Sequence, residues 1–91
     1  MKLGRVIGRV WATAKDASLE SRKILLVRPT APDGTAAGEA YLAVDAVGAG
    51  SGERVLVVDE GGSAGIALGA VEPPIRTVVV GIVDSVDMTV R

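Results

Sequence analysis

The residues of this chain that could do chemistry are concentrated in one glycine-rich segment, Gly48-Ala49-Gly50-Ser51-Gly52, which is followed by Glu53 and Arg54. Glycine-rich loops bind phosphate when they open a helix, or when a lysine and a hydroxyl side chain complete them. Here acidic Glu53 follows instead, and then the run Val55-Leu56-Val57-Val58, which is typical of a strand. We therefore expect these glycines to provide positive φ or a close approach between backbones, at a tight corner, a subunit interface or a symmetry axis.

Other catalytic groups are scarce. None of the 91 residues is Cys or His, which excludes thiolate nucleophiles, disulfides, soft metal sites and the usual proton shuttle at neutral pH. Asp84 and Asp87 are three residues apart in a predicted strand, so their side chains would point to opposite faces and form a poor acid/base pair. We expect no catalytic residue, no cofactor and no metal site, and therefore a protein that is not an enzyme.

The charge balance argues against a nucleic-acid or membrane partner. Ten Lys and Arg residues face 11 Asp and Glu residues, which leaves a net charge of −1 and no field to attract polyanions. Trp11 and Tyr41 are the only aromatic residues, and binding of single-stranded nucleic acid usually needs several stacking rings in a positive groove. Packing in the core or at an interface is the preferred interpretation of both rings. A module that binds single-stranded nucleic acid is kept as the alternative function.

Five short runs of apolar, β-branched residues must position the glycine-rich segment. They predict strands over Leu3 to Ala12, Ile24 to Arg28, residues 40 to 47, Arg54 to Asp59 and Thr77 to Met88. Gly4, Gly8 and Gly81 suggest bends, Pro32-Asp33-Gly34 predicts a turn, and Ser63 could cap a short helix that continues to about Leu68.

These elements predict one domain over residues 1 to 91, all-β in class: a small five-stranded OB-like antiparallel barrel with one short helix. Strands two, four and five each carry at least three consecutive apolar residues, whereas an isolated barrel should alternate apolar and polar positions. Burying one such side chain is worth about 1.5 to 3 kcal/mol, so we expect subunit contacts over the outside of the barrel. The simpler alternative is that the consecutive valines line the ends of the barrel. The segment Met1 to Arg5 lacks the apolar core of a targeting peptide, and the longest apolar runs are too short to span a membrane.

Almost the whole chain resembles the EutN/CcmL family of bacterial microcompartment vertex proteins. Four segments carry the resemblance, and the run from Asp45 to Val57 is the most specific of them. They are Met1-Lys2-Leu3-Gly4-Arg5-Val6-Ile7-Gly8, Lys23-Ile24-Leu25-Leu26-Val27 with Pro32-Asp33-Gly34 after it, Asp45-Ala46-Val47-Gly48-Ala49-Gly50-Ser51-Gly52-Glu53-Arg54-Val55-Leu56-Val57, and Val80-Gly81-Ile82-Val83-Asp84-Ser85-Val86.

The resemblance implies an OB-like barrel that forms a homopentamer and caps the vertices of a polyhedral protein shell. Its partners would be copies of itself and the hexagonal tiles of a different shell-protein family, and its location would be the cytoplasm, in a microcompartment shell. We expect Gly48, Ala49, Gly50, Ser51, Gly52 and Glu53 to lie at the fivefold pore or at the subunit interface, with an ordinary tight turn as the simpler alternative. Lys15, Arg22 and Lys23 could contact a tile edge or cargo, or could only be solvated.

Overall fold

A computed structural model describes residues 1–11, 22–59 and 75–87, in which five strands close into one barrel. The strands are β1 (Lys2–Val10), β2 (Lys23–Pro29), β3 (Tyr41–Asp45), β4 (Arg54–Val58) and β5 (Val78–Ile82). The prediction of an all-β barrel of five strands is confirmed. The predicted helix from Ser63 to Leu68 lies outside the described residues. In the part of the chain that the structure describes, no helix is long and apolar enough to cross a membrane.

The barrel order is β1-β2-β3-β5-β4, with β4 pairing back onto β1. Four of the neighbouring pairs are antiparallel, but β3 and β5 are parallel, with Val44 opposite Val78 and Asp45 opposite Val79. A fully antiparallel barrel was expected. Strand directions cannot alternate around a closed ring with an odd number of members, so one parallel pair is a geometric necessity in a five-stranded barrel.

Four strands end earlier than the sequence predicts. β1 ends at Val10 rather than Ala12 and β4 at Val58 rather than Asp59, and the ends of β5 and β3 each have a local cause. β5 was expected to run to Met88 but ends at Ile82, because its antiparallel partner β4 begins only at Arg54. The last bond of that ladder is donated by the Val83 N–H to the Arg54 carbonyl, at 2.9 Å. β3 was expected to reach residue 47 but ends at Asp45, whose carboxylate turns the following backbone.

The glycines predicted to mark bends lie beside irregularities in the ladders. Ile7 is an extra residue between Val6 and Gly8 in the pairing of β1 with β2. The register of β4 against β5 shifts between Leu56 and Val57, next to Gly81. Bulges of this kind increase strand twist, which a small barrel needs in order to close. Gly4 has a different role, since a Cβ there would lie 2.5 Å from Val27 Cγ1 across the β1–β2 pair.

The barrel interior is filled by small apolar side chains. Its members among the described residues are Val6, Leu25, Val27, Ala43, Ala49, Val55, Val57 and Val79, all of them almost completely buried. Tyr41 packs against this group from one end. The absence of Phe from the chain and its richness in valine are consistent with an interior this narrow.

A second apolar group lies on the other face of the same strands. Val10, Ile24, Val44, Val78 and Val58 are successive cross-strand partners and form a row around all five strands. Its three central members are buried within the single chain. The expectation that both faces of these strands need cover is therefore met in part by the chain itself.

Other apolar side chains stay uncovered in the single chain. Ile7 and Leu42 are each 43% exposed, Ile82 and Val47 are each 40% exposed, and Trp11 is 82% exposed. Ile7 belongs to β1, Leu42 to β3 and Ile82 to β5, so they are distributed around the barrel. These residues are the surface that contacts with other chains could bury.

Candidate functional site

Residues 46–53 connect the end of β3 to the start of β4, and we call residues 48–53 of this connection the glycine loop. The side chain of Asp45, the last residue of β3, organises the loop. Its Oδ1 accepts hydrogen bonds from the backbone N–H groups of Val47, Gly48 and Ala49, at 3.1, 3.0 and 3.2 Å. One carboxylate oxygen therefore satisfies three successive donors that the turn takes out of the sheet.

Lys23, the first residue of β2, completes this arrangement. Its ammonium lies 3.2 Å from Asp45 Oδ2 and donates a 2.7 Å hydrogen bond to the carbonyl of Ala49. The Asp45 side chain is only 2% exposed and that of Lys23 is 28% exposed. Because Lys23 and Asp45 are direct cross-strand partners, the β2–β3 register itself brings the ion pair together.

The charge state of Asp45 follows from two opposing effects. Burial disfavours the carboxylate, but hydrogen bonds from the Val47 and Ala49 N–H groups and the nearby Lys23 ammonium outweigh it, so the pKa of Asp45 lies below its ordinary value. Asp45 is therefore ionised at neutral pH. The pair acts as a fixed internal clamp for the loop.

The far end of the glycine loop is held by β1. The Gly52 N–H donates to the Val6 carbonyl at 2.8 Å, and the Val6 N–H donates to the Glu53 carbonyl at 3.0 Å. Arg5 Nη1 donates to the Gly52 carbonyl at 2.7 Å. Within the loop, the Gly50 N–H donates to Glu53 Oε1 at 2.6 Å. The loop thus has fixed contacts with three strands.

The small residues of the glycine loop are not all required for the same local reason. Gly48 and Gly52 have φ values of 81° and 84°, a region that residues with a side chain rarely adopt. Ala49 is fully buried and its methyl packs in the interior group. Gly50 has neither a positive φ nor a close backbone neighbour, because only Glu53 Oε1, at 3.4 Å, lies near a Cβ placed there. The expectation of positive φ is confirmed at Gly48 and Gly52.

The acidic side chains of the described residues do not form a metal-binding group. Within residues 1–11, 22–59 and 75–87, no three His, Cys, Asp or Glu side chains are grouped so that they could hold a metal ion. Glu53 accepts from the Gly50 N–H, and Asp59 pairs with Lys2 at 3.4 Å. The prediction that Asp84 and Asp87 lie on a strand is wrong, since β5 ends before them, and both are exposed.

The two aromatic residues are far apart. The Lys2 ammonium lies over the Tyr41 ring, 4.2 Å from the ring centroid. Trp11 follows the other end of β1, and its ring centroid lies 5.4 Å from Arg9 Cζ. Lys2 and Trp11 lie at opposite ends of the nine-residue strand β1, a distance of roughly 25 to 30 Å. Burial, with a smaller effect of the Asp59 charge, raises the pKa of Tyr41 to about 12. The rings therefore do not form one stacking surface for bases.

Sequence reasoning identified the loop but missed the residues that hold it. Asp45 was noted only as part of the long matching run. Lys23 was noted in a matching strand and as either a contact for a tile edge or cargo or a solvated cation, and Arg5 was not noted as a loop contact. One signal was present: an Asp that ends an apolar strand and precedes a glycine-rich turn is a frequent acceptor for the turn's backbone N–H groups. The Lys23 partner had no comparable signal, because it depends on the pairing of β2 with β3.

Residues 1–84 match the model of a protein family described as "Ethanolamine utilisation protein EutN/carboxysome". The microcompartment shell vertex protein GrpN of Rhodospirillum rubrum (strain F11) is 41% identical over 87 residues, which cover 96% of this chain and 97% of that protein. The shell vertex protein EutN of Escherichia coli (strain K12) is 40% identical over 86 residues, covering 94% of this chain and 90% of the relative.

Solved structures give the same result. The GrpN pentameric microcompartment shell protein from Rhodospirillum rubrum has a TM-score of 0.85 to this chain at 40% identity, over 98% of this chain and 100% of that one. These relatives are structural shell proteins, and the alternative of a nucleic-acid-binding module receives no support from them.

Proposed function

We propose that this chain, which belongs to the EutN/CcmL family, is a structural shell protein that forms homopentamers and caps the vertices of a bacterial microcompartment. The observation that carries the proposal is the near full-length match to vertex proteins, together with a fold shared with a pentameric shell protein. Hexagonal tiles alone form a flat sheet. A pentagon in place of a hexagon forces curvature, and this allows a shell to close.

The exposed apolar residues support a ring with head-to-tail contacts. Such a contact joins two different surfaces of the same subunit. Ile7 on β1 and Leu42 on β3 are each 43% exposed and are separated by β2 in the barrel order, so more than one side of the barrel offers apolar area. Since the interior is already filled by the chain's own side chains, these residues can be buried only from outside.

The glycine loop is proposed to lie at the fivefold pore or at a subunit interface. Gly48 and Gly52 are explained within the chain by their positive φ, but Gly50 is not. When neither the backbone conformation nor the contacts within one chain require a glycine, we expect that glycine to leave space for another chain. Together, Gly48, Ala49, Gly50, Ser51, Gly52 and Glu53 are the residues we assign to this contact.

The remaining features of the proposal follow from the vertex role. The chain acts as one domain over residues 1–91, without a cofactor and without catalysis, in a shell within the cytoplasm. Its partners are copies of itself and hexagonal shell proteins.

The native mass of the purified chain tests the central requirement. Five copies of the 9.2 kDa chain give a complex of about 46 kDa, measurable by native mass spectrometry or light scattering. Leu42→Lys should reduce the pentamer, because it places a charge on an exposed apolar position. Glu39→Lys is the matched control, because Glu39 is exposed and polar. A wild-type chain that stays monomeric at high concentration would refute the proposal.

A second measurement tests the vertex position. Co-expression with hexagonal shell proteins should give closed polyhedral shells in electron micrographs when the wild-type chain is present. Shells made without it should be open or extended. Closed shells of unchanged shape in its absence would contradict the role at the vertices, even if the chain is pentameric.

A further inference from the structure

Three arginines form a row across adjacent strands. Arg5 on β1 is directly opposite Arg28 on β2 on one side and directly opposite Arg54 on β4 on the other. Direct cross-strand partners share a face, and the neighbouring Val6, Val27 and Val55 point into the interior, so the three arginines lie on the outside of the barrel. We call Arg28, Arg5 and Arg54 the arginine row.

Among the described residues, no carboxylate forms an ion pair with this row. The ion pairs that join two described residues include Lys2–Asp59 and Lys23–Asp45, and neither of them includes a member of the row. The contacts of the row are to backbone carbonyls. Arg5 Nη1 donates to Gly52 at 2.7 Å, and Arg28 Nη1 donates to Gly38 at 3.4 Å. Most of the donors of the three guanidinium groups therefore stay available.

Two acidic side chains next to the row or to the turn beside it accept hydrogen bonds within their own loops. Glu53 precedes Arg54, but its Oε1 accepts from the Gly50 N–H. Asp33, in the turn between β2 and β3, accepts from the N–H and hydroxyl of Thr35, at 3.0 and 2.7 Å. These hydrogen bonds lower the pKa of Asp33 and keep it ionised, but they hold its carboxylate on its own turn.

Two of the guanidinium groups approach the same point. A Cβ placed on Gly34 would lie 3.4 Å from Arg54 Nη2 and 3.8 Å from Arg5 Nη2. Gly34 has a φ of 93°. Because it has no side chain, it places no side-chain atom beside the Nη2 atoms of the two arginines. Arg5 and Arg54 are half-buried, and their guanidinium groups lie beside the turn at residues 32–34.

The bonds of Arg5 and Arg28 to backbone carbonyls do not offset the repulsion among the three charges. Like charges directly opposite each other in a sheet are destabilising. Guanidinium groups are planar donors suited to two-point hydrogen bonding with phosphate oxygens. A row of three, with two donor ends converging, therefore indicates a ligand with several anionic oxygens.

We propose that the arginine row binds a small oxyanion of the phosphate class, as inorganic phosphate or as the phosphoester group of a metabolite. Arg5 and Arg54 contact the same oxyanion from two adjacent strands, and Arg28 adds positive charge from the third. This inference goes beyond the shell role and does not depend on it, because all three arginines belong to one chain.

The test is isothermal titration of the protein, in its native state of assembly, with inorganic phosphate and with glycerol phosphate at constant ionic strength set by NaCl. We expect saturable binding of at least one probe to the wild-type chain. Arg5→Gln and Arg54→Gln should each weaken it about tenfold or more. Arg5→Lys keeps the charge but loses the planar fork, and should give an intermediate loss.

Arg76→Gln is the matched control, because Arg76 is exposed and lies outside the row. An equal loss in Arg76→Gln and Arg5→Gln would mean unspecific attraction and would overturn the proposal, as would heats no larger than those of NaCl. Binding of phosphate alone would assign the site to the free ion, and binding of both probes would assign it to phosphoesters as well. Native mass is recorded for every variant. If Arg54→Gln, which leaves the Arg5 bond to Gly52 in place, changes the oligomer, the row is a contact for carboxylates of a neighbouring copy, and the ligand proposal is wrong.

Discussion

Replacing Asp45 with Asn tests whether the buried ion pair holds the glycine loop. The Asn oxygen can still accept from the N–H groups of Val47, Gly48 and Ala49, but its amide donor would face the Lys23 ammonium. Breaking a fully buried pair by changing one partner costs about 3 to 5 kcal/mol. Because Lys23 is 28% exposed and partly hydrated, we expect a smaller loss, about 2 to 3 kcal/mol.

This loss is large for a domain of this size. A change of about 1 kcal/mol shifts the melting temperature of a 60- to 100-residue domain by about 4 to 8 °C, so Asp45→Asn should lower it by roughly 10 to 20 °C. Thermal unfolding followed by circular dichroism measures the shift. All samples need the same protein concentration, because dissociation of an oligomer makes the midpoint depend on concentration.

Asp59→Asn is the matched control for Asp45→Asn. Asp59 also pairs with a lysine, but the side chains of that pair are 40% and 52% exposed, so its loss should cost less than about 1 kcal/mol. If Asp45→Asn and Asp59→Asn melt at the same temperature, the buried pair contributes no more than a surface pair, and Lys23 and Asp45 do not clamp the glycine loop.

The pH dependence provides a second check on Asp45. Its pKa is lowered in the folded chain, so its stabilisation is fully present above the carboxyl pKa of the unfolded chain, about 4, and is lost as the pH falls through the folded value. Asp45→Asn has no such carboxyl. The stability difference between wild type and Asp45→Asn should therefore decrease below about pH 4, and a difference that stays constant there would contradict the assignment.

Three further predictions concern the loop and the two aromatic residues. Gly50→Val should leave the single chain folded but reduce the pentamer in native mass spectra, and normal assembly of this variant would exclude the loop from the contact. Gly48→Val should instead destabilise the fold itself, because Gly48 has a φ of 81°. Trp11, the single Trp and 82% exposed, should shift its fluorescence emission to shorter wavelength on assembly, and an unchanged spectrum would exclude it from the interface. Tyr41, the single Tyr, should form phenolate only near pH 12, and phenolate absorbance at pH 10 in the folded protein would contradict its burial. Because the pKa of Tyr41 is raised in the folded chain, the stability of the fold should decrease as the pH rises above about 10.

The strands were predictable because each is a short β-branched run bounded by Gly, Pro or polar residues. Their ends were less predictable, since a strand ends where its partner does: β5 lost the residues after Ile82 because β4 begins at Arg54. The parallel pairing of β3 with β5 could have been inferred from closure of five strands, but not which pair would be parallel.

The candidate site was predictable in location but not in mechanism. A glycine-dense run before a strand marked the loop, and positive φ followed from residue type. Lys23 and Asp45 are 22 positions apart, however, and only the register of β2 against β3 makes them neighbours. The same limit applies to the arginine row, whose members come from three strands.

The clamp also bears on how a ring of subunits could form. Asp45, Lys23 and the bonds to Val6 fix the glycine loop within one chain, so its shape does not depend on a neighbour. A preformed loop loses little conformational entropy when a second subunit docks against it, which favours association for a given contact area. Asp45→Asn should therefore weaken assembly as well as folding, while Gly50→Val should affect assembly alone. If Asp45→Asn weakens both folding and assembly while Gly50→Val weakens only assembly, the glycine loop is ordered within one chain before a second subunit contacts it.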